Sequence, residues 1–458
     1  MDAMTKINKR TMLATSVALG GAALTGCAGV SAASPAHTAA NGSRTDFVRR
    51  DGMRLILDGK PYRFVGANIW YGAYLGADAA YGDRARLERE LDRLKALGVS
   101  NLRILAGAEE GPLKNSIKPG FRTKEGWNET LLQGLDYCLA EVDKRGMKAV
   151  LYLSNFWEWS GGFGSYLWYA TGQYLDMADP GHPWPEFPDH NAGFYRSKLA
   201  VEMFQDHVRK LVTRSNHVSG IAYKDDPTIM AWQLCNEPRP GVTESVIAEA
   251  LPTYYDWIRS TAELIRSLDS KHLVSLGHEG TIASGDREDR VAEAHRHIDY
   301  VTAHIWPLNW GWVSGKDLSG TWGGGADKVS AYLKSHEAIA QRLNKPLIFE
   351  EFGFPRDGEL YDPNAGTTFR QRYYQMIYAA VEQSVARGGP ICGSNFWAWN
   401  GEARAEHPDH RFLEGDRAYM GDPPHEPQGW YGNFDSDTEM LELIRKHAAK
   451  LGAPVGAS

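Results

Sequence analysis

The chain has 458 residues, 43% of them hydrophobic, and 50 basic against 57 acidic side chains give a net charge of −7. That is enough apolar material for one sizeable core, while the charge balance supplies no electrostatic footprint for a polyanion and argues against nucleic acid as a partner. The 15 Trp and 21 Tyr exceed what packing alone usually demands, so some of these rings are expected to line a groove.

At the N-terminus Lys6, Lys9 and Arg10 precede the largely apolar run Met12 to Leu24, which is too short for a permanent span and reads as a cleaved address. The run ends in Leu24-Thr25-Gly26-Cys27. These residues resemble a bacterial lipobox, which implies acylation of Cys27, a secreted, periplasmic or outer-membrane lipoprotein, and membrane contact only through that lipid. The competing reading is ordinary cleavage near Ala32-Ala33 or Ala36. The expected divisions are a signal peptide over 1–27, a flexible tether rich in Ala, Ser, Gly and Thr over 28–44, and one folded domain over 45–454, acting as a monomer. The remaining cysteines, Cys138, Cys235 and Cys392, are widely spaced in apolar stretches and show no C-x-x-C pattern. Neither a disulfide framework nor a metal site is implied, and they are read as small buried hydrophobes.

Two turn signals, Asp51-Gly52 and Asp58-Gly59, bracket short alternating runs and predict a β-hairpin that plugs the floor of the domain. Eight candidate strands follow: Tyr62–Ile69, Val99–Leu105, Lys148–Asn155, Ile229–Asn236, Leu273–His278, Tyr300–Ile305, Leu347–Glu351 and Ser394–Trp399. Stretches of helical periodicity separate them, among them Leu87, Leu91, Leu94 and Leu97, and Phe204, Val208, Leu211 and Val212. Strands alternating with helices predict a parallel sheet, and eight of them close a (β/α)8 barrel. The Gly/Pro/Trp-rich segments 156–192 and 400–433 are expected to be long loops at its C-terminal face, and loops of that length are usually functional.

Each candidate strand ends in or beside a polar or aromatic residue, and barrel chemistry lives at that rim. The fourth runs through Trp232-Gln233-Leu234-Cys235-Asn236-Glu237-Pro238-Arg239 and the seventh through Leu347-Ile348-Phe349-Glu350-Glu351-Phe352-Gly353. Asn-Glu-Pro and Glu-Phe-Gly, in that order on those strands, resemble glycoside hydrolase family 5, specifically its β-mannanase branch, from about residue 45 to 445. Retaining glycoside hydrolysis needs one protonated and one ionised carboxyl ~5 to 5.5 Å apart, and the fourth and seventh strands face each other across a barrel mouth. The resemblance implies Glu237 as acid/base and Glu351 as nucleophile. Glu350 is expected to be a structural carboxylate, because successive strand residues point to opposite faces.

Further roles are carried over from the resemblance. Arg103 would hold Glu351 ionised, leaving Glu237 the more readily protonated of the two. Asn236 would meet the sugar 2-hydroxyl, His304 would contact substrate at the cleavage site, and Trp397 would form the platform under the sugar that is cleaved. Trp157 is expected in the groove, Arg239 and Glu279 beside leaving-group sugars; Trp70 is expected in the groove from its place at the end of the first strand. The pattern is broken at Trp306, where many members have a Tyr that hydrogen-bonds the nucleophile; Trp can donate but cannot accept. The implied activity is hydrolysis of β-1,4 linkages in mannan, glucomannan or galactomannan, without metal or organic cofactor. The rivals are a β-1,4-glucanase, an exo-acting mannanase whose groove is blocked by the 156–192 insertion, and a surface glycan-binding protein that has lost turnover.

Overall fold

The computed structural model describes residues 46–453; the expected signal peptide, Cys27 and the tether lie outside the described residues. The first described elements are three antiparallel strands, β1 (Arg49–Asp51), β2 (Arg54–Leu57) and β3 (Lys60–Pro61). They are joined by turns in which Gly52, Asp58 and Gly59 take positive φ, the region Gly enters freely and Asp tolerates. Val48, just before β1, and Leu55 of β2 share an apolar cluster with Phe64, Val150, Met230, Tyr300 and Ile348. The predicted hairpin therefore has a third strand and seals one end of the barrel.

Eight parallel strands make the barrel: β4 (Phe64–Asn68), β5 (Asn101–Leu105), β6 (Lys148–Tyr152), β7 (Ile229–Gln233), β8 (Leu273–Ser275), β9 (Val301–Ile305), β10 (Leu347–Phe352) and β11 (Ile391–Phe396). Their order in the sheet is β8-β7-β6-β5-β4-β11-β10-β9. The seam between β8 and β9 is stitched by Asp299 N–H to Val274 O at 2.9 Å and His304 N–H to Glu279 O at 3.0 Å. Every residue of these eight strands is buried, as expected when helices cover the outside and side chains fill the inside. One surrounding helix, Glu129–Lys144, shows how the sequence sets it. Asn128 caps its start, with Oδ1 accepting from Leu131 N at 3.2 Å. Its buried stripe then runs through Leu131, Leu132, Leu135, Cys138, Leu139 and Val142.

The eighth strand begins at Ile391, three residues before the expected Ser394, and ends at Phe396. The Gly-Gly-Pro before it reads as a breaker, yet the Pro390 carbonyl already accepts from Leu347 N at 2.8 Å, so pairing starts directly after the proline. Trp399 belongs instead to a separate strand, β12 (Trp399–Gly401), which pairs with β13 (Asn433–Phe434) and closes the neck of the 400–433 loop. The 156–192 segment is not plain loop. It carries the helices Gly162–Thr171 and Glu186–Asn191, anchored where Phe163 stacks on Phe194 with ring centroids 3.8 Å apart. No helix among the described residues is long and apolar enough to cross a membrane.

Candidate active site

A cavity of about 650 Å³ opens at the C-terminal ends of the strands, lined by Asn236, Glu237, Arg239, Glu279, Trp306, Glu351 and Trp397 together with Trp157 and others from the long loops. Glu237 stands just beyond β7 with φ +52°, a backbone region that costs a non-glycine residue of order 1 to 3 kcal/mol and that folded structures keep mostly at functional positions. Glu351 comes from β10 across the barrel. Glu237, His304 and Glu351 each bring one side-chain atom to within 4.8 Å of the other two. The two carboxyl groups, like the imidazole, are buried.

Each acid has its own set of partners. Nη1 of Arg103 donates to Glu351 Oε1, while the same guanidinium donates through Nε to Gln233 Oε1 at 2.8 Å and through Nη2 to Asn236 Oδ1 at 2.6 Å. Glu237 is held on both oxygens: Oε1 lies 2.6 Å from Nδ1 of His304, and Oε2 accepts from Trp157 Nε1 at 2.5 Å. His304 Nδ1 is also 3.4 Å from Glu351 Oε2. The imidazole therefore sits between the acids rather than against the cavity, a correction to the direct substrate contact expected of it.

The electrostatics reverse one expectation. Burial raises the proton affinity of Glu237, but the bonded imidazole outweighs it, helped by Arg239 and the Trp157 N–H, and the carboxyl is held below its ordinary range. At Glu351 burial prevails over His304 and Arg103, the charge of Glu237 adds to it, and the carboxyl is pushed up to about 7. Burial works against a charge on His304 as well, yet Glu351 and the hydrogen bond to Glu237 lift it to about 10. Arg103 thus does not make Glu351 the stronger acid of the two. The shifts of Glu237 and His304 together favour a proton on His304 Nδ1, 2.6 Å from Glu237 Oε1.

The remaining expected residues divide. Arg239 and Glu279 form a bidentate pair at 2.5 and 2.7 Å, with the guanidinium 5.0 Å from the centre of the Trp157 ring. Trp306 lines the cavity with its ring edge-on to Trp397 at 5.9 Å and to Tyr431 at 5.0 Å. Glu351 thus has its hydrogen-bonded support from Arg103. Asn236 spends its amide on Asn155 Oδ1 at 3.0 Å and its carbonyl on Arg103. Trp70 is a correction: only 1% exposed, it donates to Gly421 O at 3.1 Å and packs against Tyr71, Tyr74, Trp159 and Tyr419 behind the cavity. Trp399, buried with Nε1 on Glu90 at 2.8 Å, is a core ring.

Two further findings concern residues to which the strand motifs assigned no place at the cavity. Trp159, Trp184 and Met177 from one long loop, and Pro423, His425 and Glu426 from the other, also line the cavity. Only the lengths of these loops hinted at them. Glu350 does not face outward. Phe349 pairs with Ala303 but Glu351 pairs with His304, so β10 carries a bulge at Glu350 that turns both glutamates inward.

This arrangement can be set beside known proteins. The profile of glycoside hydrolase family 5, beta-mannosidase-like, matches residues 45–455. The chain is 31% identical over 387 residues to a putative mannan endo-1,4-beta-mannosidase 9 of Oryza sativa subsp. japonica, covering 79% of this chain and 83% of the other. It is also 31% identical over 368 residues to a putative mannan endo-1,4-beta-mannosidase 4 of Arabidopsis thaliana, covering 77% and 82%. Among solved structures, a glycoside hydrolase family 5 mannosidase from Rhizomucor miehei superposes with a TM-score of 0.80 at 34% identity, covering 90% of this chain and 98% of that one. An endo-1,4-beta-mannanase from the same organism, at 22% identity and TM-score 0.64, shares the barrel. With a profile match across almost the whole described barrel and paired glutamates on its facing walls, the chain is a glycoside hydrolase and belongs to family 5, in its beta-mannosidase-like group.

Proposed function

We propose that this hydrolase cleaves β-1,4-mannosidic linkages with retention of configuration, Glu237 serving as acid/base and Glu351 as nucleophile. The observation that carries the reading is the approach of the two carboxyl groups within 4.8 Å across the barrel mouth. An oxygen-to-oxygen approach that close is on the side of retaining enzymes, whose carboxyl groups lie ~5 to 5.5 Å apart, rather than of inverting ones, which need ~6.5 to 9.5 Å to admit a water. Glu351, oriented by Arg103, attacks the anomeric carbon while the proton held by the Glu237–His304 pair passes to the glycosidic oxygen. The ester formed on Glu351 is then hydrolysed by a water that gives its proton back to Glu237. Mannan as the polymer is supported by the curated relatives, which are mannan endo-1,4-beta-mannosidases. The anomer first released from mannohexaose, read by proton NMR, tests retention; an α-product overturns it.

Cutting close to a chain end is a second reading favoured by one observation. Residues of both long loops, Trp159 and Trp184 from one and His425 and Glu426 from the other, line the cavity, so insertions on either side are placed to limit how far a chain extends through it. Product profiles over time separate the modes: early mannose or mannobiose marks end-cutting, a spread of sizes marks internal cutting. As to location, we read the N-terminal run and Cys27 as a lipoprotein address, tested by lipid labelling of wild type against Cys27→Ser.

A further inference from the structure

Glu350 is a buried carboxyl for which the proposed reaction has no task. The bulge in β10 turns it into the barrel, where Oε2 accepts from Gln233 Nε2 at 2.7 Å and lies 3.9 Å from Arg103 Nε. The same oxygen stands 3.8 Å from Nε2 of His304. Since Nδ1 of that ring is 2.6 Å from Glu237 and 3.4 Å from Glu351, the imidazole is enclosed by three carboxyl groups from two strands. The other charged or titratable groups turned toward it are few. Arg103 is engaged with Glu351, Arg239 and Glu279 are paired with each other, and His278 and Tyr300 are buried nearby with their own neutral forms favoured by burial.

We propose that Glu350 is a positioning residue of the reaction: its charge behind His304 fixes a proton on Nε2, so that a second proton is kept in the bond between Nδ1 and Glu237. Nε2 can face a carboxylate favourably only as N–H, and an anion on that side makes loss of either ring proton harder. A carboxylate behind an imidazole sets its tautomer and basicity in the same way at metal centres. The bond thus retains, on its imidazole side 2.6 Å from Oε1, a proton for the leaving oxygen at pH values where a carboxyl held below its ordinary range has lost its own. The bulge is what the arrangement costs in strand regularity, since without it Glu350 would lie among the outer helices. This inference rests on the reading of Glu237 as the acid.

Glu350→Gln keeps shape and acceptor but removes the charge. The alkaline limb of the kcat/KM profile should move down by about one pH unit or more, and the ¹⁵N titration of the His304 ring should move down with it. Glu350→Asp, which retains the charge, should keep the wild-type limb. A limb and a ring titration both unchanged in Glu350→Gln overturn the proposal, even where kcat falls. Should that variant fail to fold, the wild-type ring decides: a proton found on Nε2 by ¹⁵N NMR above the ordinary imidazole value of about 6.5 supports the proposal, and an unprotonated Nε2 there overturns it. Because the ring titration needs no substrate, it stands or falls separately from the assignment of Glu237.

Discussion

The indole N–H of Trp157 points at Oε2 of Glu237 from 2.5 Å, so a residue of the 156–192 insertion is bonded directly to the proposed acid. Removing a donor to a carboxylate favours its protonated form, so in Trp157→Phe the proton affinity of Glu237 rises. A hydrogen bond to a charged group contributes about 1.5 to 3 kcal/mol. Loss of the bond and of the ring's placement is expected to lower kcat by roughly 10- to 100-fold, and steady-state kinetics on mannotriose would show it.

The two glutamates should fail differently. Either alanine variant is expected to lose at least about 100-fold in kcat on mannan oligosaccharides. Glu237→Ala should retain the first half-reaction toward a dinitrophenyl β-mannoside, whose leaving group needs no proton, and azide should then yield a β-mannosyl azide. Glu351→Ala with azide should give the α-anomer instead. An inactive Glu350→Gln beside an active Glu351→Gln would reverse the choice of nucleophile.

Glu351 must be ionised to attack, and its carboxyl is pushed up to about 7 against the opposing pull of His304 and Arg103. The acid limb of kcat/KM is therefore expected near neutrality. In Arg103→Met the cation that favours the ionised form is gone, so the limb should climb by about 1 to 3 pH units. A limb that stays in place, with the fold intact by circular dichroism, would remove Arg103 from that role.

Glu279 and Arg239 are buried partners. Removing one partner of such a pair strands the other charge and typically costs about 3 to 5 kcal/mol. Glu279→Ala should lower Tm accordingly and, by releasing Arg239 from its place over Trp157, raise KM for longer oligosaccharides more than for an aryl mannoside.

Leu55 is buried within the three-stranded sheet that seals the barrel floor. Leu55→Ala should destabilise by about 2 to 5 kcal/mol, measured by urea unfolding, while kcat of the folded enzyme is unchanged because the site lies at the opposite end of the strands.

The barrel was legible along the chain because its signals are local. Apolar runs, helical periodicity and turn residues each lie within one element; Asn236-Glu237-Pro238 follows the fourth barrel strand, which stops at Gln233, and Glu351-Phe352-Gly353 ends the seventh. Boundaries were less so: Gly389-Pro390 looks like a stop, and only the carbonyl of Pro390 meeting Leu347 N shows a strand beginning there. Trp70, read as a groove residue from its place at a strand end, is sealed behind Trp159 and Tyr419 because loops distant in sequence cover it.

By itself the sequence determined the fold class, the family and the two acids facing across a closed sheet, since alternation of elements and short motifs are properties of neighbouring residues. Only the tertiary structure decided which groups tune those acids: the bulge that turns Glu350 inward, the wedging of His304 between Glu237 and Glu351, and the loop that sets Trp157 Nε1 on Glu237. These depend on register between strands and on contacts across tens to hundreds of residues. Coulombic and hydrogen-bonding forces there act over a few ångströms of space, a distance that no spacing along the chain encodes.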